Sequence, residues 1–303
     1  MSHSPPAIDP SFTPRVTLRN LPADAPLDEI LGELERSGGL ILTNFLPVEQ
    51  VQLLNSDVER ELAKRPPHTS QTTKFPCLAR LVGKSKVAAS VCELPVVSRL
   101  LDSFLTHRYT LKREEIDNEV AIPPQLSLSC SLYLTPGPPR APLHRDDLIH
   151  GIDHSIPFDL NKQTELAILV AGAKTNRVTG ATLFIPGSHK WDDKRTPKPN
   201  EITFAEMDTG SAFLYLGSSY HASGQNSVPD SMRKLHGLYF IKGTLRPEEN
   251  QFLAAPWKVA LTMSDRLLSL LGYKQPPVPL GIVDDGNVSR NMRSVLVRTS
   301  AGI

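Results

Sequence analysis

From about residue 120 onward the chain is cut into short apolar or alternating runs, each closed by turn residues. That punctuation constrains the fold more than any other feature. Leu126-Ser-Leu-Ser-Cys-Ser-Leu-Tyr-Leu134 alternates apolar with small polar side chains, the period of a strand with one buried face. Pro136-Gly-Pro-Pro139 follows. Then come Leu143–Leu148, Leu166–Ala171, Thr182–Ile185, Ala212–Leu216 and Leu235–Ile241, with turn pairs such as Thr179-Gly180 and Pro186-Gly187 between them. Short strands at this density, with few intervening helices, predict an antiparallel sandwich or barrel rather than βαβ units. The 27 prolines among 303 residues suit a chain rich in turns.

Ahead of that region the period is helical. Leu27, Ile30, Leu31 and Leu34 share a face of a helix starting near Pro26, with Asp24 near its cap and Gly38-Gly39 at its end. Leu40 to Phe45 reads as a strand, Val48 to Lys64 as a second helix stopped by Pro66-Pro67, and Pro95 to His107 as a third. Residues 68–90 show no period. Residues 257–272 read as a closing amphipathic helix, and the last twenty residues as irregular. We therefore expect a single catalytic domain over 1–303: a helical and loop part to about 120, a β core over about 121–245, and a helix with a tail over 246–303.

A net charge of +1 provides no global field for nucleic acid or an anionic membrane, and neither partner is expected. Cys77, Cys92 and Cys130 are far apart and form no CxxC pair, which predicts reduced thiols and a cytoplasmic setting. The N-terminal residues have no apolar h-region and no window approaches 18 apolar residues, so neither a secretory signal nor a membrane span is expected.

The segment Leu143-His144-Arg145-Asp146-Asp147 carries the chemistry. Read as a strand, it projects His144 and Asp146 to one face, an imidazole beside a carboxylate. One more ligand would complete the facial triad of non-haem Fe(II), with positions left open for substrate and O2. A His-x-acid triplet arises roughly once by chance in such a chain, so the pair weighs little alone. His221 follows the apolar run Ala212–Leu216 at a distance from which a jelly-roll strand can reach the pair. Arg233 shares a strand face with Leu235, Tyr239 and Ile241. A guanidinium on an apolar face needs an anion: a structural Asp, or the far carboxylate of a dicarboxylate.

His144-x-Asp146, His221 and Arg233, with Asn176-Arg-Val-Thr-Gly-Ala-Thr-Leu-Phe-Ile-Pro-Gly-Ser-His-Lys-Trp191 between them, resemble the phytanoyl-CoA dioxygenase family. The Gly-Ala-Thr and Ile-Pro-Gly-Ser-His-Lys-Trp stretches look most like its fungal secondary-metabolite branch, which oxidises meroterpenoids and indole alkaloids. The resemblance covers about residues 25–250. It implies a mainly β fold with flanking helices, built on a double-stranded β-helix (a cupin-like jelly roll). It implies Fe(II) held by His144, Asp146 and His221. It also implies 2-oxoglutarate as cosubstrate, gripped by Arg233 and by the Thr182 hydroxyl, with O2 consumed and succinate and CO2 released. The sequence departs from the pattern at Ala141, where close relatives often carry a Gln that contacts the cosubstrate. An Arg before the core serves some relatives, and Arg80 or Lys74 are the residues here that would correspond.

Other candidates read as bland. His189 lies in a family turn, His150 and His154 in a loop near the mouth, His236 on the face opposite Arg233, and Tyr220 alternates away from His221. No GxGxxG, P-loop or GxSxG occurs. The substrate is expected to be an apolar, polycyclic small molecule admitted past loops at about 66–90 and 149–163. The rival readings are an acyl-CoA hydroxylase of the same family and a non-catalytic jelly-roll subunit. The apolar side chains of residues 257–303 (among them Trp257, Leu261, Leu280, Ile282, Val295, Leu296 and Val297) suggest a homodimer, with packing on the chain's own barrel as the alternative.

Overall fold

The computed structural model describes residues 5–9, 11–64, 77–154 and 157–282. The first part of the chain runs through β1 (Asn20–Pro22), α1 (Leu27–Ser37), β2 (Gly39–Thr43), α2 (Val48–Ala63), β3 (Cys77–Ala79), α3 (Lys86–Val91) and α4 (Pro95–Phe104). A hairpin of β4 (His107–Arg113) and β5 (Ile116–Ile122) leads to the core strands. These are β6 (Gln125–Leu134), β7 (Glu165–Ala171), β8 (Thr182–Phe184), β9 (Thr203–Ala205), β10 (Ala212–Leu216), β11 (His221–Ala222) and β12 (Arg233–Ile241). Three short helices, α5 (Gln251–Ala254), α6 (Trp257–Ala260) and α7 (Asp265–Leu270), follow.

A seven-stranded sheet in the order β1-β2-β10-β7-β12-β6-β3 faces a three-stranded sheet in the order β11-β8-β9. Alternation along β12 explains why both faces of the large sheet are buried. Leu235 and Tyr239 point inward to a core shared with Ala167, Leu169, Phe213 and Tyr215 of the large sheet and Phe184 and Ala205 of the small one. Leu238 and Phe240 point outward into a second core roofed by α1, α2 and α4 through residues such as Ile30, Leu34, Leu54, Val58, Leu100 and Leu101. The result is the expected jelly roll with flanking helices. Each fully buried Leu or Ile adds about 1.5–3 kcal/mol to the closure of these layers.

Helix α1 buries Ile30 and Leu34 and stops at Gly38, whose φ of 80° and N–H bond to the Leu34 carbonyl (2.9 Å) form a left-handed cap. Its start is Pro26, without a side-chain cap, so Asp24 does not serve there. Strands β2, β6, β7, β8, β10 and β12 fall where the alternation placed them, to within two residues.

Three readings need correction. Leu143–Leu148 is not a strand: His144 makes an isolated bridge to His221, and Asp147–His150 is a 3-10 turn. The N–H groups of Asp146 and Asp147 both aim at the Gly217 carbonyl (2.9 and 3.4 Å), so the backbone turns instead of extending a ladder. Residues 257–272 form not one helix but α6 and α7, with the Ser264 hydroxyl capping the second. The stretch 77–90, expected to lack structure, holds β3 and α3 because its small apolar residues are bound by tertiary contact. Trp257 and Leu261 pack on the main core, whereas Leu280 and Ile282 are exposed. Lys74, Val295, Leu296 and Val297 lie outside the described residues, as do residues 66–76 and 155–156 of the expected lid loops. No helix among the described residues is long and apolar enough to cross a membrane.

His236 sits opposite Arg233 as parity demands, yet it is only 1% exposed because α2 covers that face. Its Nε2 meets Asn55 Oδ1 at 2.9 Å and its Nδ1 meets the Ser131 hydroxyl at 2.7 Å. Burial pushes its pKa down to about 3, with Lys234 adding to the effect, so the ring is neutral in the fold. Its contribution to stability is full above the unfolded value of 6.5 and is lost as the pH falls toward that depressed value. The stability difference between wild type and His236→Asn, measured by urea unfolding, should therefore shrink by roughly 2 kcal/mol between about pH 6.5 and about pH 5.

Candidate active site

His144 and His221 exchange a reciprocal pair of backbone hydrogen bonds, each 2.9 Å, and this sets their rings side by side with centroids 4.5 Å apart. Each Nδ1 faces a carbonyl, Pro142 at 2.9 Å for His144 and Ser219 at 3.1 Å for His221. A carbonyl only accepts, so each Nδ1 carries the proton, and each Nε2 is left with a lone pair in the neutral ring. Both Nε2 atoms turn to Asp146, at 3.4 Å from Oδ1 and 3.3 Å from Oδ2. The three donor atoms lie within 4.8 Å of one another, the one such group of three among the described residues. The triplet converges although the parity argument behind it does not apply, because the turn at Asp146 does what a strand would have done.

The cluster draws positive charge. Burial pushes the Asp146 carboxyl up, but the facing His221 ring and bonds from both imidazoles outweigh it and hold the group well below the usual carboxylate range. Burial lowers His144, and its bonds to Asp146 and to the Pro142 carbonyl more than reverse that. The Tyr215 hydroxyl donates to Asp146 Oδ2 (2.9 Å) and lies 3.1 Å from His221 Nε2, and burial beside Asp146 keeps its own proton on.

Arg233 opens β12 at 3% exposure, facing inward. One Nη donates to the Gly180 carbonyl (2.7 Å), while Nε is buried without a partner. No carboxylate among the described residues pairs with it. Burial pulls its pKa down to about 10, which leaves it charged near neutrality. Thr182, two residues beyond Gly180, is buried on the face of β8 that it shares with Phe184, toward the same interior. Ala141 contributes backbone bonds, its N–H to the Ser223 carbonyl (2.9 Å) and its carbonyl from Arg140 Nη1 (3.2 Å), and apolar packing. Arg80 is exposed, with φ 63°.

A second polar cluster braces the segment behind the triplet. Buried Arg145 donates to Asp193 (2.7 Å) and to the carbonyls of Ser188 (3.1 Å) and Trp191 (2.8 Å), with its guanidinium 4.5 Å from the Tyr220 ring centre. His154 is bonded at both nitrogens, by Asp193 at 2.8 Å and Asp147 at 3.1 Å. Burial pushes His154 down, but the Asp147 contact prevails and favours the imidazolium. His189 donates to the Glu35 carbonyl (3.1 Å) against Phe158, and burial pushes it down to about 4. His150 lies in the turn after Asp147. None of these rings joins the triplet, as the sequence suggested. Sequence reasoning missed Tyr215, Arg145 with Asp193, and Glu165. Tyr215 and Glu165 had a usable signal, a polar group at an inward position of an apolar strand.

Comparison with known proteins gives the family. The family model for phytanoyl-CoA dioxygenase matches residues 34–235. The dioxygenase swnH1 of Arthroderma benhamiae is 46% identical over 305 residues, covering 98% of both chains. The dioxygenase swnH1 of Metarhizium robertsii is 45% identical at the same coverage, and the dioxygenase peniF of Penicillium patulum is 30% identical, covering 84% of both chains. Among solved structures, the non-haem alpha-ketoglutarate-dependent epimerase SnoN from nogalamycin biosynthesis shares the fold at a TM-score of 0.54 and 18% identity, over 75% of this chain and 88% of that one. HygX of Streptomyces hygroscopicus, solved with nickel and 2-oxoglutarate bound, does so at 0.54 and 16%, over 72% and 88%. With a model match across most of its length and full-length relatives at this identity, the chain belongs to the phytanoyl-CoA dioxygenase family.

Proposed function

We propose that the chain is an Fe(II)- and 2-oxoglutarate-dependent dioxygenase in which His144, Asp146 and His221 hold the iron, and Arg233 with Thr182 holds the cosubstrate. The observation that carries this is the convergence of two imidazole Nε2 atoms and one carboxylate, together with a buried guanidinium that pairs with no carboxylate among the described residues. That donor set suits non-haem iron, and three protein ligands leave room for the cosubstrate and a further small ligand. SnoN, solved with Fe3+ and alpha-ketoglutarate, and HygX support the same cofactors by likeness of fold.

When bound, iron and 2-oxoglutarate supply the oxidation of a substrate C–H by O2, with succinate and CO2 as co-products. The chain's own residues do the rest. The carbonyls of Pro142 and Ser219 fix the imidazole tautomers, so both rings offer nitrogen without a proton rearrangement. Tyr215 orients the Asp146 carboxylate through its hydrogen bond. Arg233 offers a charge-assisted contact in a site closed to water, where it is strongest. The inward Leu, Phe and Tyr side chains of the two sheets exclude solvent around the reacting carbon.

The substrate in this reading is an apolar polycyclic small molecule, such as a fungal secondary metabolite of the meroterpenoid type, in a single catalytic domain working in the cytoplasm. Cys77, Cys92 and Cys130 form no disulfide, which suits that compartment. The chain acts as a homodimer through its C-terminal part, where exposed Leu280 and Ile282 are the visible support. Light scattering should give about twice the 33.3 kDa chain mass; the monomer mass would reject the dimer.

Isothermal titration with Fe(II) under anaerobic conditions should give one site in the wild type and none in His144→Ala, Asp146→Ala or His221→Ala, each still folded by circular dichroism. Arg233→Ala should keep the iron and raise the KM for 2-oxoglutarate by about 10- to 100-fold, the loss of a buried charge-assisted contact, with little change for the organic substrate. An iron-free wild type, or an unchanged 2-oxoglutarate KM in Arg233→Ala, would remove the respective assignment.

A further inference from the structure

A separate apolar cluster lies on the outer face of the small sheet, behind the triplet. Along β8, Phe184 joins the inner core, and alternation turns Leu183 outward, where it packs with Ile185, Ile202 and Ala222. The N-terminal segment crosses this face, with Ile8 against the cluster and the Phe12 ring edge-on to Phe204 at 6.4 Å. The cover is incomplete. A cavity of about 240 Å3 remains there, walled by Ile8, Val178, Leu183 and Phe204 together with Arg140 and Arg177.

Arg140 is only 6% exposed, yet no carboxylate among the described residues pairs with it. Its Nε donates to the Pro6 carbonyl (2.7 Å) and one Nη to the Ala141 carbonyl (3.2 Å). The other Nη has no hydrogen-bond partner among the described residues. Carbonyls satisfy N–H groups but do not neutralise the charge, which is costly to bury unmatched. Burial pulls the pKa of Arg140 below the usual arginine value, and no acidic group raises it. Arg177 is the second positive group at the cavity. It donates to the Asp9 and Phe12 carbonyls and stands 5.0 Å from the Phe204 ring centre. The acids beside it are engaged elsewhere: Glu206 accepts the Arg177 main-chain N–H (2.7 Å), and Asp9 accepts from the Ser11 N–H and hydroxyl (2.8 and 2.7 Å).

We propose that this cavity binds a small organic carboxylate with an apolar body, its carboxylate on the free Nη of Arg140 and its body against Leu183, Phe204 and Val178. The walls set the class. An inorganic anion would leave the apolar walls unfilled, a dicarboxylate would press a second charge against them, and a hydrocarbon would leave Arg140 unmatched. The site is distinct from the proposed cosubstrate position, because Thr182 and Phe184 share the inward face of β8 and Leu183 faces out. It touches the outer side of the segments that carry the centre: Arg140 precedes His144, Gln225 follows His221, and Leu183 adjoins Thr182. It requires no metal and stands apart from the dioxygenase reading.

The test uses the full, metal-free chain, with 4-fluorobenzoate as the probe and 4-fluorobenzamide as its neutral isostere, followed by broadening of their 19F NMR lines. The wild type should bind the acid about tenfold or more tightly than the amide, the worth of one buried charge-assisted contact. Arg140→Gln should abolish that preference. Val178→Trp should abolish it as well; this exposed position fills the cavity without touching the bonds of Arg140, so the test holds even where Arg140→Gln loosens the N-terminal segment. Arg233→Ala should keep the preference, and succinate should displace the probe far more weakly than unlabelled benzoate does. A wild type without the preference, or its survival in either cavity variant, overturns the inference. Loss of the preference in Arg233→Ala would put the acid in the interior and overturn it too. Displacement by succinate as strong as by benzoate would show that charge alone is read and would overturn the ligand class.

Discussion

Everything at the centre of this protein hangs on two backbone hydrogen bonds. His144 and His221 donate to each other's carbonyls, and that bridge joins the segment after β6 to the edge of the small sheet. It fixes the rings by their main chains, so their aim does not depend on rotamer choice alone. The carbonyls of Pro142 and Ser219 complete the work by choosing the tautomer. Asp146 then arrives by a turn held at the Gly217 carbonyl, not by the period of a strand. Loss of the bridge would free both imidazoles at once, while the apolar sheets around them could remain closed.

The interior is also unusual in the charges it leaves unmatched. Most buried polar groups in the fold find partners. Arg145 is matched with Asp193 and two carbonyls, His154 with two carboxylates, and His236 with Asn55 and Ser131. Arg233 at Nε and Glu165 at both oxygens do not, and neither do Arg145 at Nε and His189 at Nδ1. Burial of an unpaired ion costs several kcal/mol, and burial with Asp146 nearby pushes the Glu165 carboxyl well up, toward its neutral form. Arg233 and Glu165 stand on strands of the large sheet, and the triplet on the segment and the short strand that the His144–His221 bridge joins.

The outer core shows the opposite logic. Helices α1, α2 and α4 cover the far face of the sheet with Leu, Ile and Val, and the one imidazole there is neutral and fully bonded. Stability is concentrated on this face, and chemistry on the other. That division lets the inner face carry costly groups without unfolding the domain.

The amino-acid sequence by itself determined the strands, since alternation with a period of two can bury only one face of a ribbon; β6 and β12 follow from it almost to the residue. It also determined which residue types lie at the centre, because His144, Asp146, His221 and Arg233 stand out as polar groups beside apolar runs. The helices α1, α2 and α4 were legible in the same way, from the apolar stripe and the glycine or proline at their ends. Only the tertiary structure decided the turn at Asp146, the break between α6 and α7, and the helix roof over His236. Each depends on a partner distant in sequence: Gly217, the cap at Ser264 together with the main core, and Asn55. Tertiary structure alone also decided that Glu165 is an orphan. Its strand reads as any apolar strand with a polar first residue, and only the packed interior leaves both carboxylate oxygens buried without a hydrogen-bond partner. Local period fixes which way a side chain points; what it meets there is set by non-local contact.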